Sequence, residues 1–311
     1  MKYSVAIRLQ ILILCVFLAS AEPALGSADV ETIIIDNPST VIDTRNAYAY
    51  DLLTEVLRRT SHTLGPTSVS QSTYYMDRRR LLIELKAGKL ITVTAQPTSA
   101  EWEKALIPIR IPIDMGLSSW HISLIRTESQ DAFLSIDTLD KLKRVPLGVG
   151  SGWSSRSVYE LNGFEVVPGS NYEGLFRMLE QRRFDHLPRQ INEAFAEIDS
   201  FHINSQYLFS NLKVESNFVV HFPVAKYFFV SLGQPKLAER IRIGLESMLR
   251  DGSLKEFMLM HNIDLIKRAK LCKRRVFYID DETLTPQTRA IFRSNAYMYN
   301  PFDETERLCK N

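Results

Sequence analysis

Apolar positions along this chain keep two different periods, and the points where one gives way to the other mark out its elements. Residues 31–36, ETIIID, form a short apolar run closed by Asn37 and Pro38, the pattern of a buried strand. After Asp43-Thr44-Arg45 the spacing lengthens. Ala47, Tyr48, Leu52, Val56 and Leu57 recur at the helical period, and the segment stops before Gly65-Pro66. Residues 67–73 predict a second strand, Asp77 a cap for a helix carrying Leu81, Leu82 and Leu85 up to Gly88, and residues 90–95 a third strand. Alternation of strand and helix is the mark of a parallel sheet covered on both faces. In such sheets ligands lie beyond the carboxyl ends of the strands. That topology places Asn37, residues 71–73 and residues 96–99 towards a ligand.

Residues 105–126 are extended and interrupted by proline, which suits an edge strand and a crossing segment. A short helix is expected from Asp137 or Thr138. Residues 144–199 then repeat the earlier rhythm as strand, glycine-rich turn, helix, strand, helix and strand. Gly148, Gly150 and Gly152 close the first apolar run, and Ser151, Ser154 and Ser155 stand where a helix begins. Ser154 and Ser155 are candidate N-caps, and the unpaired N–H groups of such a start suit a carboxylate or phosphate. The GVGSG run is a weak dinucleotide fingerprint, since the third glycine spacing fails and no acidic partner follows. The chain returns through strand-rich residues 217–231. A helix follows, with Pro235 in its first turn, Leu237, Ile241, Leu245, Met248 and Leu249 on one face, and Gly252 past its end. Two α/β blocks with a return segment imply two lobes with a ligand between them. Residues 124–132 and 217–225 are the expected hinge.

Composition narrows the setting. At 311 residues the chain can support two cores. Its 38 basic and 36 acidic side chains give a net charge of +2, and no basic stripe argues for nucleic acid. The run from Lys267 to Arg275 reads as a solvated face. Lys2 and Arg8 precede an apolar run over residues 11–19, followed by small residues with cleavage signals near Gly26 and Ala21. That run is too short to span a bilayer, which takes about 20 residues, so residues 1–26 read as a cleaved signal peptide and the mature chain as periplasmic. Cys15 lacks the context of a lipidated cysteine. The two remaining cysteines, Cys272 and Cys309, are expected to form a disulfide in an oxidising compartment. The six histidines are scattered and no metal-ligand spacing appears, so neither metal nor cofactor is expected.

Several stretches carry a specific resemblance. Thr98-Ser99 is followed by IPIRIPI at 107–113 and Gly116-Leu117. Then come Gly152-Trp153, NYEGLFRML at 171–179, RFDHLPR at 183–189, FPVAKYFFVS at 222–231, and Asp251-Gly-Ser253. With these the chain resembles extracellular solute-binding proteins of the type II periplasmic-binding fold, close to amino-acid-binding family 3. Within that fold it is similar to a branch described as transporter substrate-binding domain proteins. The resemblance implies an α/β fold of two lobes, each a mostly parallel sheet flanked by helices. It divides the chain into lobe 1 at 27–126, lobe 2 at 127–221, and a return to lobe 1 at 222–311. Family position points Thr98 and Ser99 at the ligand. Where relatives carry an arginine that grips the α-carboxylate, this chain has Ser118-Ser119-Trp120-His121, and the second-lobe aspartate for an α-amino group is not evident.

The expected ligand contacts are therefore Thr98, Ser99, Trp120, His121, Trp153, Ser154, Ser155 and Arg189. Arg189 is the preferred carboxylate clamp because a guanidinium offers two parallel donors, with Arg156 a weaker rival. Each has an ordinary structural reading beside it: turn residues for Thr98 and Ser99, caps for the serines, and a paired surface cation for Arg189. The expected function is non-catalytic capture of a small polar solute, amino-acid-like or organic-acid, by a monomer that serves an inner-membrane permease or a sensor kinase. Two alternatives stand beside it. One is a dehydratase-like enzyme using Glu101 and His121, the other a signalling module with a degenerate pocket.

Overall fold

The computed structural model describes residues 30–37, 46–204, 209–295 and 297–303, the side chains of 202–204 excepted. The signal-peptide segment, Cys15 and Cys309 lie outside the described residues, as therefore does the Cys272–Cys309 pairing. Cys272 itself sits in the turn Leu271–Lys273.

The described residues from Glu31 onwards form one compact unit built on two sheets and a strand pair. Its strands are β1 (Glu31–Asn37), β2 (Thr67–Tyr75), β3 (Val93–Pro97), β4 (Ile107–Ile109), β5 (Trp120–Arg126), β6 (Leu147–Gly150), β7 (Val166–Gly169), β8 (Leu187–Gln190), β9 (Leu212–Val214), β10 (Phe218–His221), β11 (Lys226–Val230) and β12 (Arg275–Tyr278). The first sheet has the order β2-β1-β3-β11-β4, with β1 parallel to β2 and β3 and the returning β11 antiparallel to both neighbours. All five residues of β11 are buried, and they split by strand period. Phe228 and Val230 join a core with Leu52, Val56 and Ile241, whereas Tyr227 and Phe229 join one with Leu81, Leu85 and Trp102. Helices Ala47–Arg59 and Pro235–Arg250 cover one face, and helix Arg78–Ala87 covers the other. As the sequence implied, Asp77 caps that helix through Arg80 N–H (2.8 Å) and Gly88 closes it with φ +65°.

The second lobe has the order β12-β10-β5-β8, with β9 also paired to β5 and the parallel pair β6–β7 joined alongside by a bridge from Leu147 to His186. Here β5 runs antiparallel to β8, β9 and β10, while β10 and β12 run parallel. Two structural differences from the sequence reading follow. Residues 120–126 belong to lobe 2, because β5 is the strand around which its sheet is built. Residues 275–278 belong there too, since β12 extends that sheet at its edge. The crossings therefore shift. The first spans residues 110–119 between β4 and β5, and the second spans 222–225 between β10 and β11. The stretch 124–132, expected to bend, instead lies wholly inside lobe 2. At the crossings the Ser119 hydroxyl accepts from Val224 N–H (3.0 Å) and lies 3.3 Å from the Val224 carbonyl, and Phe222 N–H donates to Ser119 O (3.2 Å).

Candidate functional site

Because the parallel strands of both lobes point their carboxyl ends at the same gap, the turns after them wall a cleft of about 770 Å3. Asp36 and Asn37 end β1, Tyr75 to Arg79 link β2 to its helix, and Gln96 and Pro97 end β3. Lys226 reaches the same edge from the opposite direction, as the first residue of antiparallel β11. Lobe 2 contributes the turns at 150–155 and 169–172, Arg189 and Gln190 at the end of β8, Glu193, and His121 on β5.

The lobe-2 wall is built around an ion cluster. Arg189 donates through Nε and Nη2 to both oxygens of Glu197 (2.8 and 2.6 Å), and Nη2 also lies 2.8 Å from Glu193. Tyr172 donates its hydroxyl to Glu197 (2.7 Å). Burial works against the Arg189 charge, but Glu193 and Glu197 outweigh it and hold the guanidinium protonated more firmly than usual. The guanidinium carbon lies 4.4 Å from the centre of the Trp153 ring. That ring rests against backbone: a Cβ on Gly150 would come within 2.5 Å of it, and one on Gly148 within 2.1 Å of Phe184. The glycines of β6 thus serve close packing. Desolvation pushes the wholly buried Glu197 carboxyl above its usual range against the pull of Arg189, and Glu193 is the carboxylate of the pair that lines the cleft. Arg189 is accordingly not an open clamp for a ligand carboxylate, and that expectation is corrected by the two glutamates of the following helix.

The lobe-1 wall differs. Arg78 donates to Gln96 Oε1 (3.2 Å) and to the Pro97 carbonyl (2.7 Å), and its guanidinium lies 4.5 Å from the Trp102 ring centre. Desolvation lowers its pKa to about 10. Lys226 is 9% exposed. Among the described residues neither cation has a carboxylate within 4 Å. Asp36 accepts from Thr94 (2.6 Å) and Asn46 (2.8 Å), and burial lifts its pKa to about 6 against the pull of Thr94, Lys226 and Asn46. Asp114, raised by burial, accepts from Gly116 N–H and Ser118 N–H, and the Ser118 hydroxyl joins it to Gln190 (2.8 Å) across the lobes.

Of the expected contacts, His121, Trp153, Ser154, Ser155 and Arg189 line the cleft. His121 stacks on Phe222 (4.4 Å, 9°), and burial, helped by Arg189 and His221, pulls its pKa down to about 3, so the ring is neutral. Trp120 does not line the cleft. Neighbours on a strand face opposite ways, and with His121 turned inward, Trp120 packs on His221 and Phe302. Ser99 also lies off the cleft, capping helix Ala100–Ala105 through Trp102 N–H (3.4 Å). Thr98 donates to Glu103 (2.8 Å) and, with Ser154 and Ser155, borders a water-sized pocket of about 10 Å3 beside the cleft. Ser154 and Ser155 are not side-chain caps, since Ser154 already has helical angles and its carbonyl accepts from Ser157. Glu101 is exposed on helix Ala100–Ala105, off the cleft. Residues missed in the sequence are Asp36, Arg78, Glu193 and Lys226. The strand-end rule pointed beside Asp36, and Arg78 directly follows the Asp77 cap, but nothing local marked Lys226.

No protein-family model matches the sequence, and no curated protein does so. Solved structures do. One is an ancestral arginine-binding protein bound to arginine, 20% identical, covering 73% of this chain and 96% of its own, with a TM-score of 0.52. An amino-acid transporter substrate-binding protein from Streptococcus pneumoniae bound to L-arginine is 12% identical, covering 74% and 93%, also at 0.52. An ancestral amino-acid-binding protein, a precursor of cyclohexadienyl dehydratase, is 13% identical over 73% and 93%, again at 0.52. The likeness establishes the fold, that of the two-lobed substrate-binding proteins. About a quarter of this chain has no counterpart in them.

Proposed function

We propose that the chain is an extracytoplasmic solute-binding protein that takes up a small dipolar, amino-acid-like molecule between its lobes. One observation carries this reading. The cleft joins a wall with two cations, half-buried Arg78 and buried Lys226, that among the described residues have no carboxylate within 4 Å, to a wall where Glu193 and Glu197 outnumber Arg189. A molecule with separated charges offers its anionic end to the first wall and its cationic end to Glu193. Trp153 supplies apolar surface between them. The volume fits a small solute, since such sites span roughly 300–1,000 Å3. Taking up the solute closes the lobes about the two crossings, and the closed form is what a permease or sensor kinase reads.

The reading is non-catalytic. Of the two acid–base candidates Glu101 is off the cleft, and His121 is a neutral ring pressed on Phe222. Export rests on the N-terminal pattern, and among the described residues no helix is long and apolar enough to cross a membrane.

The test is a thermal-shift screen of residues 27–311 against amino acids, organic acids, polyamines and sugars, with turnover followed for every hit. A ligand at 100 times its Kd stabilises the folded state by about 2.7 kcal/mol. The expected result is a shift with amino-acid-like compounds, reduced in Arg78→Ala and without turnover. Shifts confined to sugars or polyamines overturn the dipolar assignment, and conversion of the hit overturns the non-catalytic one.

A further inference from the structure

After helix Ser253–Ala269 the chain does not finish on one lobe. β12 pairs with β10 over four residues, from Phe218 with Arg275 to His221 with Tyr278, and Asn162 of lobe 2 donates to the Asp280 carbonyl (2.7 Å). Residues 279–285 then cross the gap. Helix Pro286–Ser294 docks on lobe 1, where Ile291 and Phe292 pack against the core of Leu81, Leu85 and Trp102. Its hydroxyls converge on one buried carboxylate: Thr285 and Thr288 donate to Glu103 (3.0 and 2.8 Å), which also accepts from Thr98 (2.8 Å) and from Arg110 at the start of the first crossing (3.0 Å). Burial opposes ionisation of Glu103, but these four donors outweigh it and hold the carboxyl below its usual range. The chain finally returns to the first crossing, where Tyr299 N–H donates to the Met115 carbonyl (2.8 Å), and to lobe 2, where Phe302 packs edge-on against Trp120 at the start of β5 (5.1 Å).

We propose that residues 275–295 and 297–303 are part of an interlobe strap that limits how far the cleft opens. It is fixed to lobe 2 by β12, to lobe 1 by Glu103, to the first crossing by Tyr299, and again to lobe 2 by Phe302. The lobes are already joined by the two crossings and by helix Ser253–Ala269, which packs Leu254 on the lobe-1 core and Met258 and Ile266 on the lobe-2 core, and a further connection pinned at both ends must itself bend or slip before the lobes part. The inference rests on the solute-binding reading only in that opening is what admits the solute. By restricting the open state the strap keeps the binding-competent arrangement populated, and apparent affinity scales with that population.

The experiment is small-angle X-ray scattering on ligand-free residues 27–311, comparing wild type, Thr285→Ala/Thr288→Val and Phe302→Ala. Both variants are expected to give a larger radius of gyration than wild type, with unchanged far-UV circular dichroism and a cooperative melt. Thr288→Ser, which keeps the hydroxyl, is expected to match wild type. Folded variants that scatter as wild type does overturn the strap. Should the double variant fail to fold, Phe302→Ala, near the chain end and only half-buried, decides alone by the same criterion. No ligand enters the measurement, so an empty ligand screen would sink the solute reading and leave the strap result standing.

Discussion

Arg189 and Arg78 face each other's lobes across one cleft, and they do opposite work. Arg189 is buried between Glu193 and Glu197 and stacked on Trp153, so its charge is spent inside the protein. Arg78 has carbonyl oxygens and an aromatic face for company and, among the described residues, no carboxylate within 4 Å, which on the proposed reading leaves its charge for the solute. Residue type told neither role. The number of carboxylates within reach did.

The largest expected effect lies on the Arg189 side. Arg189→Ala strands Glu197, which is wholly buried, and removing one member of a buried pair costs about 3–5 kcal/mol. Urea unfolding is expected to move by that amount, and Arg189→Met with Glu197→Leu to recover most of it. A loss below about 1 kcal/mol in Arg189→Ala would mean that the cluster behaves as a surface pair and that the contrast fails.

Acid titration comes next. His121 and His186 are buried, with pKa values pulled down to about 3 and 4, so the unfolded chain takes up protons that the folded chain refuses. Stability therefore falls as pH drops below the unfolded histidine value near 6.5. Asp36, lifted to about 6, acts in the opposite sense, since folding favours its protonated form and that contribution is lost as pH rises through 6. Asp114 and Glu215, also raised by burial, share its sign. Between pH 7.5 and 5.5 these two histidines cost about 1.4 kcal/mol each, the less buried His221, pulled down to about 4 by desolvation, adds to the loss, and the carboxyls return part of it. A net loss of about 1–2 kcal/mol is expected in urea melts, and His186→Phe should flatten the slope. An unchanged midpoint across that range would contradict the neutral-histidine assignment.

Arg78→Ala sharpens the comparison from the other side. Solute affinity should fall about tenfold, equivalent to 1.4 kcal/mol, while the urea midpoint moves far less than in Arg189→Ala. Equal effects of the two alanines on binding would erase the difference between the walls. Smallest of all, Trp120→Phe should change binding by no more than about 0.5 kcal/mol, as expected away from a site, whereas Trp153→Phe should weaken it measurably by titration calorimetry.

The two lobes were not equally legible in the sequence. Lobe 1 announced itself because each element carries its own stop signal: Asp77 and Gly88 bracket one helix, and Pro97 closes β3. Lobe 2 gave helices Ser155–Leu161 and Tyr172–Glu180 as readily, but helix Ile191–Asn204 went unread, the partners of β5 come from residues 187, 212 and 218 onwards, and pairings over such distances leave no local trace. The site followed the same division. Trp153 and Arg189 were found because motif and strand end coincide there. Arg189's role was misjudged because Glu193 and Glu197 reach it only once the next helix has wound four and eight residues on. Lys226 was invisible because an antiparallel strand enters the sheet from far along the chain.

The Ser119–Val224 contact gives the two crossings a property that neither has alone. Two plates joined by separate cords can slide, roll and twist. Cords fastened to each other where the first of them ends leave the plates fewer ways to move. On the proposed reading, closure then follows a restricted path in which a solute meets Arg78 and Glu193 in the same register, and selectivity turns on a fixed spacing between charges rather than on the charges themselves.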